Sequence, residues 1–378
     1  MNHPNQALIG IPGGRALLDT PALLIERPVL LRNIARMAEF AATRNIGLRP
    51  HSKTHKSVEI ARLQIAAGAL GICCVTLGEA EIMVAGGIPG VLITSPAVTP
   101  SKIARLVTLA AQAGPGGVMV VVDHPQNIAD LDAAAAALDH PLDVLVDYGA
   151  GYNRTGAASH AELLALALLA GDAPHLRLRG LQSYAGNLQH IPDRARRTAA
   201  AAELRQTIAH LVEAARGQGT PFEIVTGVGT GTHDMDPDGR IFTELQAGSY
   251  VFMDVDYRDA LADGLNSPPF DVALLVQTAV VSVNAADWVT TDGGIKCFAT
   301  DGPLPEVASG VDPTSRYQLF GDEHGKLFPV GPRPALGARI ELVTPHCDPT
   351  VNLYDRIYAV RGEMVEDVWA TTARKENP

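Results

Sequence analysis

Eight short β-rich runs recur between residues 47 and 248, and their alternation with helical patterns constrains the fold more than any other feature. They are GLRPHSK (47–53), GICCVT (71–76), GVLITSP (90–96), GVMVVVD (117–123), LDVLVDYG (142–149), LRGLQSY (178–184), FEIVTG (222–227) and ELQAG (244–248). The first seven each precede a helical candidate, such as EAEIMVAGG after the second and RTAAAAELRQTIAHLVEAARGQG after the sixth. Strands joined by crossover helices pair in parallel, and eight of them predict an α/β fold, a closed (β/α)8 TIM barrel. An open doubly wound sheet is the alternative.

The chain has 378 residues, more than the roughly 250 of a barrel alone. From about residue 265 the texture changes. FDVALLVQTAVVSV, WVTTDGG, ARIELVTPH and RIYAVRGEMVEDVWA are β-rich with little helical periodicity. The expected division is a barrel over 18–262 and a C-terminal, mostly β domain over 263–378. An early strand, PALLIER, stands outside the count of eight.

Lysine and arginine total 30 against 41 acids, a net charge of −11. That argues against nucleic acid as the main partner, because phosphate backbones need net basic surface. The start MNHPNQALIGIPGGR is not expected to be a signal peptide, having no basic stretch before an apolar one. No apolar run reaches the roughly 18 residues of a membrane span. The cysteines, Cys73, Cys74, Cys297 and Cys347, form no CxxC pair. Reduced thiols and a cytoplasmic location are the expectation.

Barrels place their active sites at the C-terminal strand ends. Lys53 ends the first predicted strand, Arg154 follows the fifth and Tyr184 ends the sixth. TGVGTGTH follows the seventh, and Gln246 to Tyr250 end the eighth. Gly227, Gly229 and Gly231 would let backbone N–H groups approach an anion closely. A lysine, an arginine and a glycine-rich phosphate cradle together suit pyridoxal phosphate. Each also has a plainer reading: the glycines as turns, Lys53 as a solvated strand end, Arg154 as a surface ion-pair partner. His51 and His55 read as metal ligands only weakly, since four residues across a strand end do not put them on one face.

The motifs RPHSKTHK, GICCVTLGEAE, TGVGTGT, TELQAGSYVFMDVDY, DEHG and PHCDPTVNLYD resemble D-threonine aldolase and its D-serine dehydratase-like relatives, from about residue 18 to about residue 374. These are pyridoxal 5'-phosphate enzymes with an alanine-racemase-type barrel and a C-terminal β domain. The resemblance implies that the strand at about 18–27 joins the β domain. It implies that Lys53 bonds the cofactor and Arg154 contacts its phenolic oxygen. His51, Tyr184, Thr226, Gly229, Thr230, Gly248, Ser249 and Tyr250 would surround ring and phosphate. Gln246 stands where alanine racemases carry an arginine facing the pyridine nitrogen; it can donate to an unprotonated nitrogen or accept from a protonated one.

TPHCDPTVN holds His346 and Asp348 at i and i+2, between Pro345 and Pro349. Read as an extended segment, the two share a face and Cys347 points away. Spacing alone leaves a surface loop open. The resemblance makes the pair metal ligands, and an N/O donor set suits manganese or magnesium. The implied substrate is a β-hydroxy-D-amino acid, cleaved to glycine and an aldehyde, with His190 the candidate base for the β-hydroxyl and a metal-bound water its competitor. Ala185 stands where many of these aldolases carry a larger residue, which leaves the preferred side chain open. A 3-hydroxy-D-aspartate aldolase and a D-serine or hydroxyaspartate dehydratase are the alternatives. A non-catalytic pyridoxal phosphate carrier is disfavoured, because such proteins resemble the barrel alone. A homodimer with active sites at its interface is the expected assembly.

Overall fold

The computed structural model describes residues 4–235, 241–262 and 268–374. They form two compact units, one of residues 37–53 and 58–248, the other of residues up to 36, 54–57 and 249–374.

The first unit holds the parallel sheet. β1 (Ala22–Glu26) belongs to the second unit, and the first unit's strands in chain order are β2 (Gly47–Leu48), β3 (Cys73–Cys74), β4 (Val91–Ile93), β5 (Val118–Val122), β6 (Leu142–Asp147), β7 (Leu176–Gln182), β8 (Ile224–Val228) and β9 (Glu244–Leu245). The eight from β2 to β9 pair in the order β2-β9-β8-β7-β6-β5-β4-β3. A parallel bridge between His51 and Cys73, with the Cys73 N–H donating to the Pro50 carbonyl at 2.8 Å, joins the two ends. The expected closed barrel is therefore present. Its other seam, β2 on β9, is clipped by Arg49, whose guanidinium donates twice to the Glu244 carboxylate at 2.8 Å in a buried setting.

Local sequence accounts for these elements. VMVVV in β5 is buried at every position, as a β-branched run covered on both faces should be. The helices are α1 (Arg27–Thr43), α2 (Val58–Ala66), α3 (Leu77–Ala85), α4 (Pro100–Ala113), α5 (Pro125–Ala135), α6 (His160–Asp172) and α7 (Arg194–Gly217). Two of them start on capping boxes. Thr76 accepts the Glu79 N–H while Glu79 reaches back to the Val75 N–H; Ser159 and Glu162 repeat the pattern at α6. Cys73, Leu92, Met119, Val121, Leu145 and Ile224 cluster on the strand face that Asp147 also occupies, two residues beyond Leu145.

The second unit is β-rich. It adds α8 (Val255–Leu261), β10 (Leu274–Ser282), β11 (Val289–Thr291), β12 (Glu306–Ser309), β13 (Arg316–Leu319), β14 (Gly325–Phe328), β15 (Arg339–Val343), α9 (Cys347–Val351), β16 (Arg356–Arg361) and β17 (Met364–Ala370). The early strand β1 lies inside this sheet, antiparallel to β10 and parallel to β16. Its Leu24 pairs with Leu275 and Tyr358, and all three belong to one buried cluster with Val343, Val360 and Val365. Among the described residues no helix is long and apolar enough to cross a membrane.

Candidate active site

A cavity of about 230 Å³ opens at the C-terminal ends of the barrel strands. Lys53 reaches it from the single-turn helix Ser52–Thr54, just past the end of β2. His51, Arg154, Tyr184 and Gln246 share the wall with Lys53. The Lys53 Nζ lies 6.0 Å from the centre of the Tyr184 ring. Arg154 stands on the exposed loop after β6, whose base is tied by a bridge between Tyr148 and Ala157.

His51 is fixed on both ring nitrogens. Its Nδ1 accepts the Lys53 backbone N–H at 3.3 Å, so Nε2 carries the proton of the neutral ring and meets the Thr94 hydroxyl at 3.2 Å. His55 is buried instead, with the Ser57 N–H on its Nδ1 at 3.1 Å, just ahead of α2.

The wall also holds polar residues that sequence reasoning passed over. Asp147 and Gln182 face each other across β6 and β7, and Gln182 Nε2 donates to Asp147 Oδ1 at 3.1 Å. Gln246 Nε2 donates in turn to Gln182 Oε1 at 3.1 Å. Thr155 Oγ1 donates to the other Asp147 oxygen at 2.7 Å. Burial pushes the Asp147 carboxyl up to about 6; the bonds from Thr155 and Gln182 restrain the rise and nearby Asp123 adds to it. An acid at the last position of a strand, in phase with inward apolar residues, is the signal that could have flagged Asp147.

The other barrel residues singled out from the sequence lie off this wall. Thr226 is opposite Gln182 on β8 and fully buried. Gly229 and Thr230 start the single-turn helix Thr230–Thr232, and Gly248 follows Gln246. His190 is half-buried after the turn Gly186–Leu188. In the β-rich unit, Ser249 and Tyr250 open the turn Ser249–Val251, with Tyr250 packed on Phe270 at 5.6 Å between ring centres.

Each glycine of TGVGTG meets a protein neighbour. A Cβ on Gly227, at φ +149°, would fall 1.9 Å from the Ser183 carbonyl oxygen. One on Gly231 would fall 2.1 Å from the Gln189 carbonyl oxygen, and one on Gly229 would fall 2.4 Å from the Gln189 side chain. Gln189 lies in the loop, its Oε1 accepting the Gly231 N–H at 2.9 Å and its Nε2 donating to the Ala185 carbonyl and the Thr232 hydroxyl, each at 3.1 Å. The Gly231 N–H is thus engaged by protein, and packing against backbone requires glycine at 227 and 231, while at 229 the neighbour is a flexible side-chain end.

In the β-rich unit His346 is extended, but Asp348 sits in the first turn of α9 (Cys347–Val351), not on an extended segment. Pro349 does not prevent this, because a first-turn residue has no intrahelical use for an N–H. Cys347 turns inward, fully buried, with its N–H on Asp254 at 2.7 Å and its thiol on Asp348 Oδ1 at 3.4 Å. Burial, then the carboxylates of Asp254 and Asp348, push that thiol well above its ordinary pKa, so it stays a donor rather than a thiolate. Burial works against a charged His346, yet Asp348, Asp254 and Asp301 outweigh it and raise its pKa. Among these carboxylates the imidazole favours its own protonated form. Among the described residues no three metal-binding side chains converge on one point.

The alanine racemase N-terminal domain model matches residues 25–256, and the putative serine dehydratase domain model matches 273–360. The chain is 37% identical to a D-threonine aldolase of an Arthrobacter species over 95% of its own length and 93% of the relative's. It is 35% identical to a 3-hydroxy-D-aspartate aldolase of Paracoccus denitrificans, over 94% and 92%. The solved D-threonine aldolase of Filomicrobium marinum superposes with a TM-score of 0.91 at 38% identity, covering 99% of both chains. A barrel of this topology, a lysine at its mouth and agreement along nearly the whole length lead to one assignment: the chain belongs to the D-threonine aldolase and D-serine dehydratase-like family of alanine-racemase-type proteins.

Proposed function

We propose that the protein is a pyridoxal phosphate- and divalent-metal-dependent aldolase that cleaves β-hydroxy-D-amino acids of the D-threonine type to glycine and an aldehyde. The observation that carries this reading is Lys53 on the cavity wall beside Tyr184, as the one lysine among the described residues that line it. The wall fits the cofactor: an amine to bond it, a flat ring beside that amine, Arg154 for its phenolic oxygen and an amide in Gln246.

Bound pyridoxal phosphate supplies an electron sink for the carbanion left when Cα–Cβ breaks, and bound manganese or magnesium supplies a Lewis acid for the β-hydroxyl. The chain supplies the rest. Lys53 would hold the cofactor covalently through its amine. His51, pinned by Thr94 and the Lys53 N–H, borders the cofactor as a neutral ring. Tyr184, Thr226, Gly229, Thr230, Gly248, Ser249 and Tyr250 would take part in holding ring and phosphate, as the family resemblance implies. His346 and Asp348 would hold the metal. His190 accepts the β-hydroxyl proton as the aldehyde forms. Two copies pair with their active sites at the interface, as the alanine-racemase type implies, and the enzyme works in the cytoplasm.

A panel of β-hydroxy-D-amino acids assayed with and without metal tests the substrate. D-Threonine should give the highest kcat/KM, with metal required. Turnover confined to 3-hydroxy-D-aspartate would move the assignment to the neighbouring aldolase.

A further inference from the structure

Asp147, Gln182 and Gln246 form a chain whose polarity is set at one end. An ionised carboxylate only accepts hydrogen bonds, so the Gln182 atom 3.1 Å from Asp147 Oδ1 is the amide nitrogen. The same nitrogen donates to the Thr94 carbonyl at 3.4 Å, and a carbonyl likewise only accepts. Gln182 therefore turns its Oε1 toward Gln246, and only an N–H of Gln246 can meet it, as it does at 3.1 Å. Gln246 lines the cavity and is left with its own Oε1 unused among the described residues. The carboxylate thus makes the cavity end of the chain an acceptor. Burial of Asp147, with its second oxygen held by Thr155 at 2.7 Å, keeps the carboxylate in place.

We propose that Asp147 is a positioning residue that, through Gln182, turns the Gln246 carbonyl oxygen toward the ring nitrogen of the cofactor held on Lys53 and keeps that nitrogen protonated. The inference rests on the cofactor reading above. It answers what a neutral glutamine can do at this position. Gln246 alone has no formal charge and presents either face of its amide, whereas the buried anion behind Gln182 selects the accepting face. A protonated ring nitrogen withdraws electrons more strongly than a neutral one, so the chain sets the strength of the electron sink without touching the reacting atoms.

The test is the ¹⁵N NMR shift of ring-labelled pyridoxal phosphate in the holoenzyme at neutral pH, with borohydride reduction and peptide mapping to locate the label. In the wild-type protein the ring nitrogen should resonate in the protonated range. Asp147→Asn, which can donate, and Gln182→Leu, which cuts the chain while leaving Asp147 intact, should each shift it toward the unprotonated range. Gln246→Glu in the Asp147→Asn background should restore the protonated signal by placing an anion at the nitrogen directly. A general loss of structure would not produce that rescue. A label not fixed to Lys53 overturns the cofactor reading and this inference with it. A label fixed to Lys53 whose nitrogen is unprotonated in the wild type, or still protonated in both single variants, overturns this inference alone.

Discussion

The Asp301 carboxylate lies 3.0 Å from Nδ1 of His346. This bond commits Nδ1 of His346 to a carboxylate of the chain. A partner of this kind orients the ring and raises its basicity.

Asp301→Ala should therefore weaken manganese binding by about 10- to 100-fold, the usual effect of removing such a partner. Asp348→Ala should abolish binding, because it removes a ligand rather than its support. Manganese titration followed by electron paramagnetic resonance reads both without turnover. Unchanged affinity in Asp348→Ala would return the segment to a plain surface turn.

Lys53→Ala should lose the visible absorbance of the lysine-bonded cofactor and all turnover while keeping its far-ultraviolet circular dichroism. Lys53 is itself half-buried, on a single-turn helix. A borohydride-stable cofactor adduct in the variant would mean that another lysine, Lys56 or Lys296, forms the bond.

The glycines after β8 should differ in tolerance. Gly227→Ala drives a methyl group into the Ser183 backbone at a left-handed φ. We expect a loss of about 3 kcal/mol or outright failure to fold. Gly229→Ala meets the flexible end of Gln189. Its cost should be smaller and largely removed by Gln189→Ala, as thermal unfolding of the single and double variants would reveal. Equal losses at Gly227 and Gly229 would contradict the packing account.

Asp147 should also mark the pH dependence of stability in the cofactor-free protein. Burial raises its carboxyl from 3.8 to about 6. The folded chain then binds the proton more tightly than the unfolded one. The contribution is fully present below the unfolded pKa and is lost as pH rises through about 6, by about 3 kcal/mol. Asp147→Asn has nothing to titrate there. Its stability relative to wild type should rise by about that amount between about pH 4 and about pH 7, then level off. Parallel pH profiles for the two proteins would place the Asp147 pKa near its ordinary value.

The barrel was legible because its strands are continuous apolar runs at the alternation that parallel pairing demands. The place of β1 was legible only through the family resemblance, since its partners β10 and β16 are far along the chain. Lys53 stood out as a lysine at a strand end. Asp147 and Gln182 did not, because only the register of β6 against β7 sets them opposite each other. The glycines read as an anion cradle, yet Ser183 and Gln189 already demand them, a reason that exists only in three dimensions. The prolines flanking His346 and Asp348 suggest an extended segment, but a proline in the first turn is compatible with helix α9.

The most direct measurement of the central claim is proton NMR of D-threonine incubated with the cofactor- and manganese-loaded protein, following carbon products and ammonia together. The account predicts glycine and acetaldehyde in equal amounts, no ammonia, and no reaction with Lys53→Ala. Formation of 2-oxobutanoate with release of ammonia would contradict it and make the protein a dehydratase.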